Sequence, residues 1–155
     1  MAGDSIDPKA AAARLNERAK GTNIEARGTH FLEVGPERAV AELAFRPDLA
    51  QLTGLFHGGV ILSLADETAT ACALASAMPD GTWDPAKFPL TIQLSANLIR
   101  NTNTGKLTAE AVPLHRGRTS MVMQTTVRDE HGSVMAVVTA TLLTLDRPSP
   151  PGSGS

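Results

Sequence analysis

Hydrophobic and polar positions divide the chain into several short alternating stretches and one long apolar stretch. In LTIQLSANLIR, residues 90–100, apolar side chains occupy the even positions 92–98 and polar side chains the odd positions 91–97. This period of two predicts a strand with one face against a core. Apolar or alternating stretches bounded by turn residues predict further strands near 28–34 and 37–46 and over 106–114, 118–129 and 133–145.

The long apolar stretch, residues 58–78, predicts a helix that ends before Pro79. Because this helix is apolar almost all round, packing on one side cannot bury it, and the sheet has to curl around it. Short polar turns separate the last four strands, which predicts an antiparallel meander. The last strand is apolar on both faces and is expected inside the sheet. The pattern thus predicts an α+β fold with five or six antiparallel strands wrapped around a long central helix.

The two ends of the chain differ from this central pattern. Residues 8–20 predict a short helix, with Asp7 as a capping residue and Pro8 in the first turn. The last nine residues, RPSPPGSGS, have the composition of a disordered tail. We therefore predict an N-terminal helical segment over 1–27, a main domain over 28–146 and a disordered tail over 147–155.

Composition narrows the function classes. The 155 residues carry a net charge of −2, and the pI of about 6.1 gives no reason to expect nucleic acid or an anionic membrane as a partner. The only cysteine, Cys72, cannot form an intrachain disulfide and is expected in the core. The N-terminal region lacks the apolar core of a signal peptide, so a cytoplasmic location is predicted. The histidines lack a metal-ligand spacing, and no metal or redox cofactor is implied.

One acidic residue stands out inside the apolar helix. At 100° per residue, Ser63, Asp66 and Thr70 fall within an arc of roughly 60°, whereas Glu67 points elsewhere. A buried carboxylate costs several kcal/mol unless it is paired or solvated, and no lysine or arginine occurs between Arg46 and Lys87. Asp66 therefore faces solvent, faces a polar cavity or belongs to a reactive site.

The sequence His57-Gly58-Gly59 stands at the start of the same helix. Free backbone N–H groups and the helix dipole favour negative charge there, and glycine leaves those N–H groups accessible to a bound carbonyl oxygen. These are the requirements of an oxyanion hole. By itself the motif is also consistent with a flexible turn that His57 partly caps.

Taken together, HGGVILSLADETATACALA resembles the signature of hotdog-fold acyl-CoA thioesterases of the phenylacetate-pathway (PaaI) type. The likeness extends over about 28–146. Family members carry Asn or Gln six residues before the histidine, here Gln51. The family's acidic residue falls eight positions after the first glycine, here Asp66. Leu98 departs from the aromatic residue often seen on that strand.

The resemblance implies hydrolysis of an acyl-CoA thioester to a free acid and CoA. It assigns to the Gly58 N–H the hydrogen bond to the substrate carbonyl, and to Asp66 the role of general base or nucleophile. Gln51, His57 and Thr70 would support these two groups. Substrate contacts are expected from Gly59, Ser63, Thr91 and Gln93. The turn along the CoA moiety would comprise His115, Arg116, Gly117, Arg118, Thr119 and Ser120, and Arg100 and Lys106 are further candidates for phosphate contacts.

Assembly follows from the spacing of the two main groups. Gly58 and Asp66 are eight positions apart, about 12 Å along a helix axis, so one carbonyl cannot contact both groups of the same chain. A homodimer with shared sites is therefore expected, and the resemblance extends this to a homotetramer. No cofactor is expected beyond the CoA of the substrate. The alternative is a hotdog protein that binds acyl-CoA or a small ligand without turnover. The sequence does not specify the acyl group.

Overall fold

The fold is a six-stranded antiparallel sheet that packs against one long helix, in a computed structural model that describes residues 4–145. The helices are α1 (Pro8–Ala19), α2 (Asn23–Arg27) and α3 (Gly58–Ala77). The strands are β1 (His30–Val34), β2 (Ala39–Ala44), β3 (Leu90–Leu98), β4 (Lys106–Arg116), β5 (Ser120–Arg128) and β6 (Val134–Leu143). The tail predicted over 147–155 lies outside the described residues, and the predicted domain boundaries stay predictions.

The strand order is β1-β2-β4-β5-β6-β3. The meander is confirmed for β4, β5 and β6, and β6 lies inside the sheet as expected. The predicted hairpin between β3 and β4 is wrong, because β3 pairs with β6 instead. The polar connection 99–105 is tied to the loop before α3. There Asn101 Nδ2 donates to the Phe56 carbonyl at 2.7 Å, and the Phe56 N–H donates to the Thr102 carbonyl at 3.0 Å. The connection 99–105 therefore crosses from β3 at the sheet edge to β4 and is not a tight turn.

Helix α3 contacts all six strands, which confirms the expected architecture of a sheet wrapped around a central helix. Its buried positions are mostly alanines together with Ile61, Leu64, Thr68 and Cys72, and these small residues let the curved sheet approach closely. Burial raises the pKa of the Cys72 thiol to about 11. By length and composition alone α3 could cross a membrane, but here it is the core helix of the sheet.

The two edges of the sheet differ. Helix α1 covers β1, and the Asn16 side-chain amide pairs with both the N–H and the carbonyl of Phe31 at 2.9 Å, much as a neighbouring strand would. On β3 no such cover exists among residues 4–145. Leu90, Ile92 and Leu98 are 43%, 58% and 52% exposed there. One edge is thus protected, and the other is an apolar strand open to pairing.

Candidate active site

Asp66 lies half-buried on the wall of a cavity of about 580 Å³, hereafter the acid-side cavity. Its Oδ1 accepts a 2.6 Å hydrogen bond from the hydroxyl of Thr91 on β3. Thr70, one turn further along α3, lines the same cavity, while its other walls include the apolar side chains of Phe31, Phe88 and Leu90. The predicted polar stripe therefore reaches a largely apolar chamber rather than bulk solvent.

A β-bulge at Ile92 directs Thr91 toward α3. Between Thr91 and Gln93 the pairing with β6 shifts by one residue, so Thr91 lies opposite Leu142 and Gln93 opposite Thr141. Because adjacent positions of β6 face opposite sides, Thr91 shares the inner face and Gln93 the outer face. Simple alternation had placed both residues on one face, which is wrong for Thr91. Gln93 is exposed on the outer face, away from Asp66.

At its N-terminus, α3 presents one free donor. His57 is the N-cap, and its Nδ1 accepts from the Gly59 N–H at 2.9 Å, so the neutral ring carries its proton on Nε2. This bond occupies the Gly59 N–H, which was expected to contact substrate. The N–H of Gly58 has no hydrogen-bond partner within the described part of the chain. A Cβ at Gly58 would lie 2.9 Å from Leu98 Cδ1, so glycine fits beneath that side chain.

Hydrogen bonds within the loop before α3 fix the backbone at Gln51 and His57. The Gln51 N–H donates to the Leu55 carbonyl at 2.8 Å, the His57 N–H donates to the Leu49 carbonyl at 2.9 Å, and the Gln51 side-chain oxygen accepts from the Thr53 N–H. Asn101, which anchors this loop through Phe56, was not among the predicted residues. Its only signal in the sequence is its place in the polar run after β3.

Ser63 lies on the predicted stripe, yet its hydroxyl donates to the Gly59 carbonyl at 2.8 Å within α3. The bond stays inside the helix, as is common for serine. Among the members of the stripe, the structure thus brings Asp66 and Thr70 to the cavity and engages Ser63 with its own backbone.

The predicted CoA turn is exposed and joins β4 to β5. Arg116 is engaged within the chain, because it forms a 2.7 Å ion pair with Glu37 and donates to the Pro36 carbonyl at 3.3 Å. Lys106 is paired with Glu42 at 2.9 Å. Within residues 4–145, the Arg118 side chain has no ion pair. Gly117 is tightly enclosed, since its Cβ would lie 2.9 Å from the Ser120 carbonyl oxygen.

Strand register relates this turn to Asp66. Arg116 lies opposite Met121, Met121 opposite Leu142, and Leu142 opposite Thr91. Three strand spacings therefore separate Arg116 from Thr91, about 14 Å across the sheet. The turn lies at the Thr91 end of the sheet.

An ion pair beside Asp66 was missed. Arg27 of α2 contacts Glu67 of α3, and the two side chains are only 17% and 11% exposed. Glu67 also lines the acid-side cavity. The sequence between Arg46 and Lys87 offers no cation for the acids of α3, and Arg27 lies about 40 residues before Glu67 with no sequence pattern that links the two. The pair fixes α2 against the central helix.

Comparison with known proteins agrees with this architecture. Residues 53–136, more than half of the chain, match the family described as the Thioesterase superfamily. The protein Rv1847 of Mycobacterium tuberculosis, which is named as an esterase, is 33% identical over 109 residues, covering 70% of this chain and 76% of that protein. Its solved structure superposes with a TM-score of 0.73 at 32% identity and covers 81% of this chain and 98% of that chain.

Two further proteins bear names that specify an activity. The 1,4-dihydroxy-2-naphthoyl-CoA hydrolase of Listeria monocytogenes is 26% identical over 115 residues, covering 74% of this chain and 89% of that protein. The solved structure of thioesterase HI1161 from Haemophilus influenzae shares the fold, with a TM-score of 0.76 at 24% identity and coverage of 87% and 90%. The chain therefore belongs to the thioesterase superfamily and has the hotdog fold.

Proposed function

We propose that this protein is a cytoplasmic acyl-CoA thioesterase of the PaaI type, which hydrolyses an acyl-CoA to the free acid and CoA. The observation that carries the proposal is the Asp66 carboxylate, held by Thr91 on the wall of a largely apolar cavity. Membership of the thioesterase superfamily supports thioester hydrolysis, and the name of the Listeria relative supports a CoA thioester as the substrate class. The acid-side cavity would receive the acyl group.

Asp66 supplies the base or the nucleophile. Thr91 occupies Oδ1, which leaves Oδ2 for the reacting group. As a base, Oδ2 takes a proton from water while the water oxygen attacks the thioester carbonyl carbon; the C–S bond then breaks, and CoA leaves as a thiol after protonation. As a nucleophile, Oδ2 attacks the carbonyl carbon, the C–S bond breaks and CoA leaves as a thiolate that is then protonated; water hydrolyses the resulting anhydride to the free acid and restores Asp66. In both cases the oxyanion accepts a hydrogen bond from a backbone N–H.

That N–H would come from a second chain. Gly58 and Asp66 of one helix are about 12 Å apart along its axis, whereas a reacting carbonyl needs both groups at about 3 Å. Within one chain, Asp66 is bonded to Thr91 near the start of β3, and Gly58 lies against Leu98 at its end. These two contacts place the acid and the donor at opposite ends of the same open edge strand.

Antiparallel pairing of two β3 strands about a two-fold axis would bring the ends together. With the strands aligned over their whole length, Leu90 lies opposite Leu98 of the partner subunit, across a strand spacing of about 4.8 Å. The Asp66 end of one chain then lies beside the Gly58 end of the other, and two equivalent shared sites result. The exposed Leu90, Ile92 and Leu98 would become buried. We propose this homodimer as the catalytic unit, with pairing of dimers into a tetramer.

CoA would lie along the turn at 115–120. Arg118 is the cation there that is free of ion pairs in the described chain, and its guanidinium suits a phosphate. Arg116 would contribute less, because Glu37 already engages it.

The proposal is tested by thiol release from a panel of short, long and aryl acyl-CoA substrates. A thiol-reactive chromophore can be used, because the only cysteine is buried and its pKa is raised to about 11. Turnover with at least one substrate, abolished by Asp66→Asn, is the expected result. Binding of acyl-CoA without any thiol release would instead support the alternative of a non-catalytic binder.

A further inference from the structure

A second cavity adjoins the acid-side cavity. This distal cavity, about 480 Å³, lies between α1, the end of α3 and the loop that follows, and residues such as Ala11, Ala75 and Met78 line it. The two cavities share four lining residues, Leu15, Arg18, Leu74 and Trp83. These four residues therefore form the wall that divides one apolar space from the other.

The wall between the two cavities has an inner part and an outer part. The inner part is formed by Leu15 of α1, which packs against the hydrophobic core, and by the half-buried Leu74 of α3. The outer part is the Arg18 guanidinium over the Trp83 ring, with 4.0 Å between the guanidinium carbon and the ring centroid. Trp83 is 39% exposed and lies in the loop between α3 and β3. Trp83 also packs against Phe88, with 5.8 Å between the ring centroids, so contacts on two sides keep the indole in place as the outer part of the wall.

Helix α3 relates the wall to the chemistry. Asp66 lines the acid-side cavity alone, Leu74 lines both cavities, and Met78 lines the distal cavity alone. At 1.5 Å per residue, Leu74 lies about 12 Å beyond Asp66 along the helix axis. An acyl chain whose carbonyl is at Asp66 and whose tail follows α3 would reach the wall before it could enter the distal cavity.

Resting on the proposed function, we propose that Trp83, held by Arg18, sets the upper length of the acyl chain that this enzyme hydrolyses. The native enzyme accepts chains that end within the acid-side cavity. Removing the indole joins the two cavities into one channel and admits longer chains. Trp83 is here a specificity-determining residue and takes no part in the hydrolysis itself.

The test measures kcat/KM for butanoyl-, hexanoyl-, octanoyl-, decanoyl-, dodecanoyl- and hexadecanoyl-CoA with four proteins: native, Trp83→Ala, Ala11→Phe and the double variant. We expect Trp83→Ala to raise the long-to-short ratio of kcat/KM by about tenfold or more. Ala11→Phe fills only the distal cavity. It should leave the native profile unchanged and, in the double variant, should cancel the gain. An unchanged profile in an active Trp83→Ala enzyme overturns the proposal.

A binding measurement separates this proposal from the proposed function. Trp83 is the only tryptophan, so intrinsic fluorescence reports on the wall alone. Titration with S-alkyl-CoA thioethers, which cannot be hydrolysed, should change the emission only when the alkyl chain is long enough to reach Trp83. Such a length threshold in a protein without turnover would support the wall and contradict the thioesterase. Emission that responds equally to all chain lengths, or to none, overturns the wall.

Discussion

The hydroxyl of Thr91 on β3 donates a 2.6 Å hydrogen bond to Oδ1 of Asp66 on α3. It is the contact that joins the edge strand to the acidic residue of the central helix. Because Thr91 faces α3 only through the bulge at Ile92, a local irregularity of the strand fixes the orientation of the carboxylate.

Asp66→Asn should lower kcat by at least about 100-fold while acyl-CoA still binds, because the base or nucleophile is lost. Thr91→Val should lower kcat by about tenfold, the equivalent of one hydrogen bond to a charged group. Thr91→Ser keeps the hydroxyl and should restore most of the activity. Steady-state thiol release measures all three. Retention of kcat within about threefold in Asp66→Asn would remove this residue from the chemistry.

Gly58→Pro should lower kcat by about 100-fold, because proline removes the free N–H that we assign to the oxyanion. Proline suits the first helical position, and His57, at φ −63° and ψ 131°, already has the conformation that precedes proline. Gly58→Ala is the matched control, since it places a Cβ against Leu98 in the same way but retains the N–H. Equal loss in both variants would assign the effect to the contact with Leu98.

Arg118→Ala should raise KM for CoA esters several-fold with little change in kcat, and added salt should diminish the effect, as for an exposed phosphate contact. Arg116→Ala is the comparison, and a smaller effect is expected because Glu37 already pairs with this side chain. Measurement of KM in low and in high salt tests whether Arg118 contacts a CoA phosphate. If KM at low salt is the same for Arg118→Ala and the native enzyme, CoA does not lie along this turn.

Breaking the pair between Arg27 and Glu67 should cost stability. Arg27→Met or Glu67→Gln leaves one poorly solvated charged or polar partner, and we expect a loss of about 3 kcal/mol in the free energy of unfolding. The double variant Arg27→Met and Glu67→Leu should lose less free energy of unfolding than the two single variants lose together, since no charge is then left unpaired. Urea unfolding at fixed protein concentration measures this. Glu17→Gln, which breaks an exposed ion pair with Lys20, should leave the midpoint unchanged. Additive losses in the double variant would show that the two side chains are not coupled.

Patterns of short range predicted the elements well. The apolar run at 58–78 predicted α3 (Gly58–Ala77) to within one residue, and the alternating or apolar stretches between turns predicted all six strands. The pairing of β3 was not predictable from the turns, because the polar run after it resembles a hairpin turn. In fact the Asn101 side chain and the Thr102 carbonyl of this run bond to the loop before α3.

The sequence predicted those features of the candidate site that depend on one helix or strand alone. The helical angles placed Asp66 and Thr70 on one arc, and both line the acid-side cavity. The orientation of Thr91 depends on a bulge, and the pair between Arg27 and Glu67 depends on how α2 packs against α3. Both are tertiary features, and no periodicity within one element reports them.

Complementation tests the shared site, which is the central claim, most directly. Gly58→Pro and Asp66→Asn are purified separately, each confirmed to be folded and inactive, then unfolded, mixed in equal amounts and refolded. A mixed dimer has one site with both lesions and one site with neither. Because random mixing makes half of the dimers mixed, about a quarter of the native activity should return. If mixed dimers are shown to form and the mixture remains inactive, Gly58 and Asp66 of different chains do not share a site.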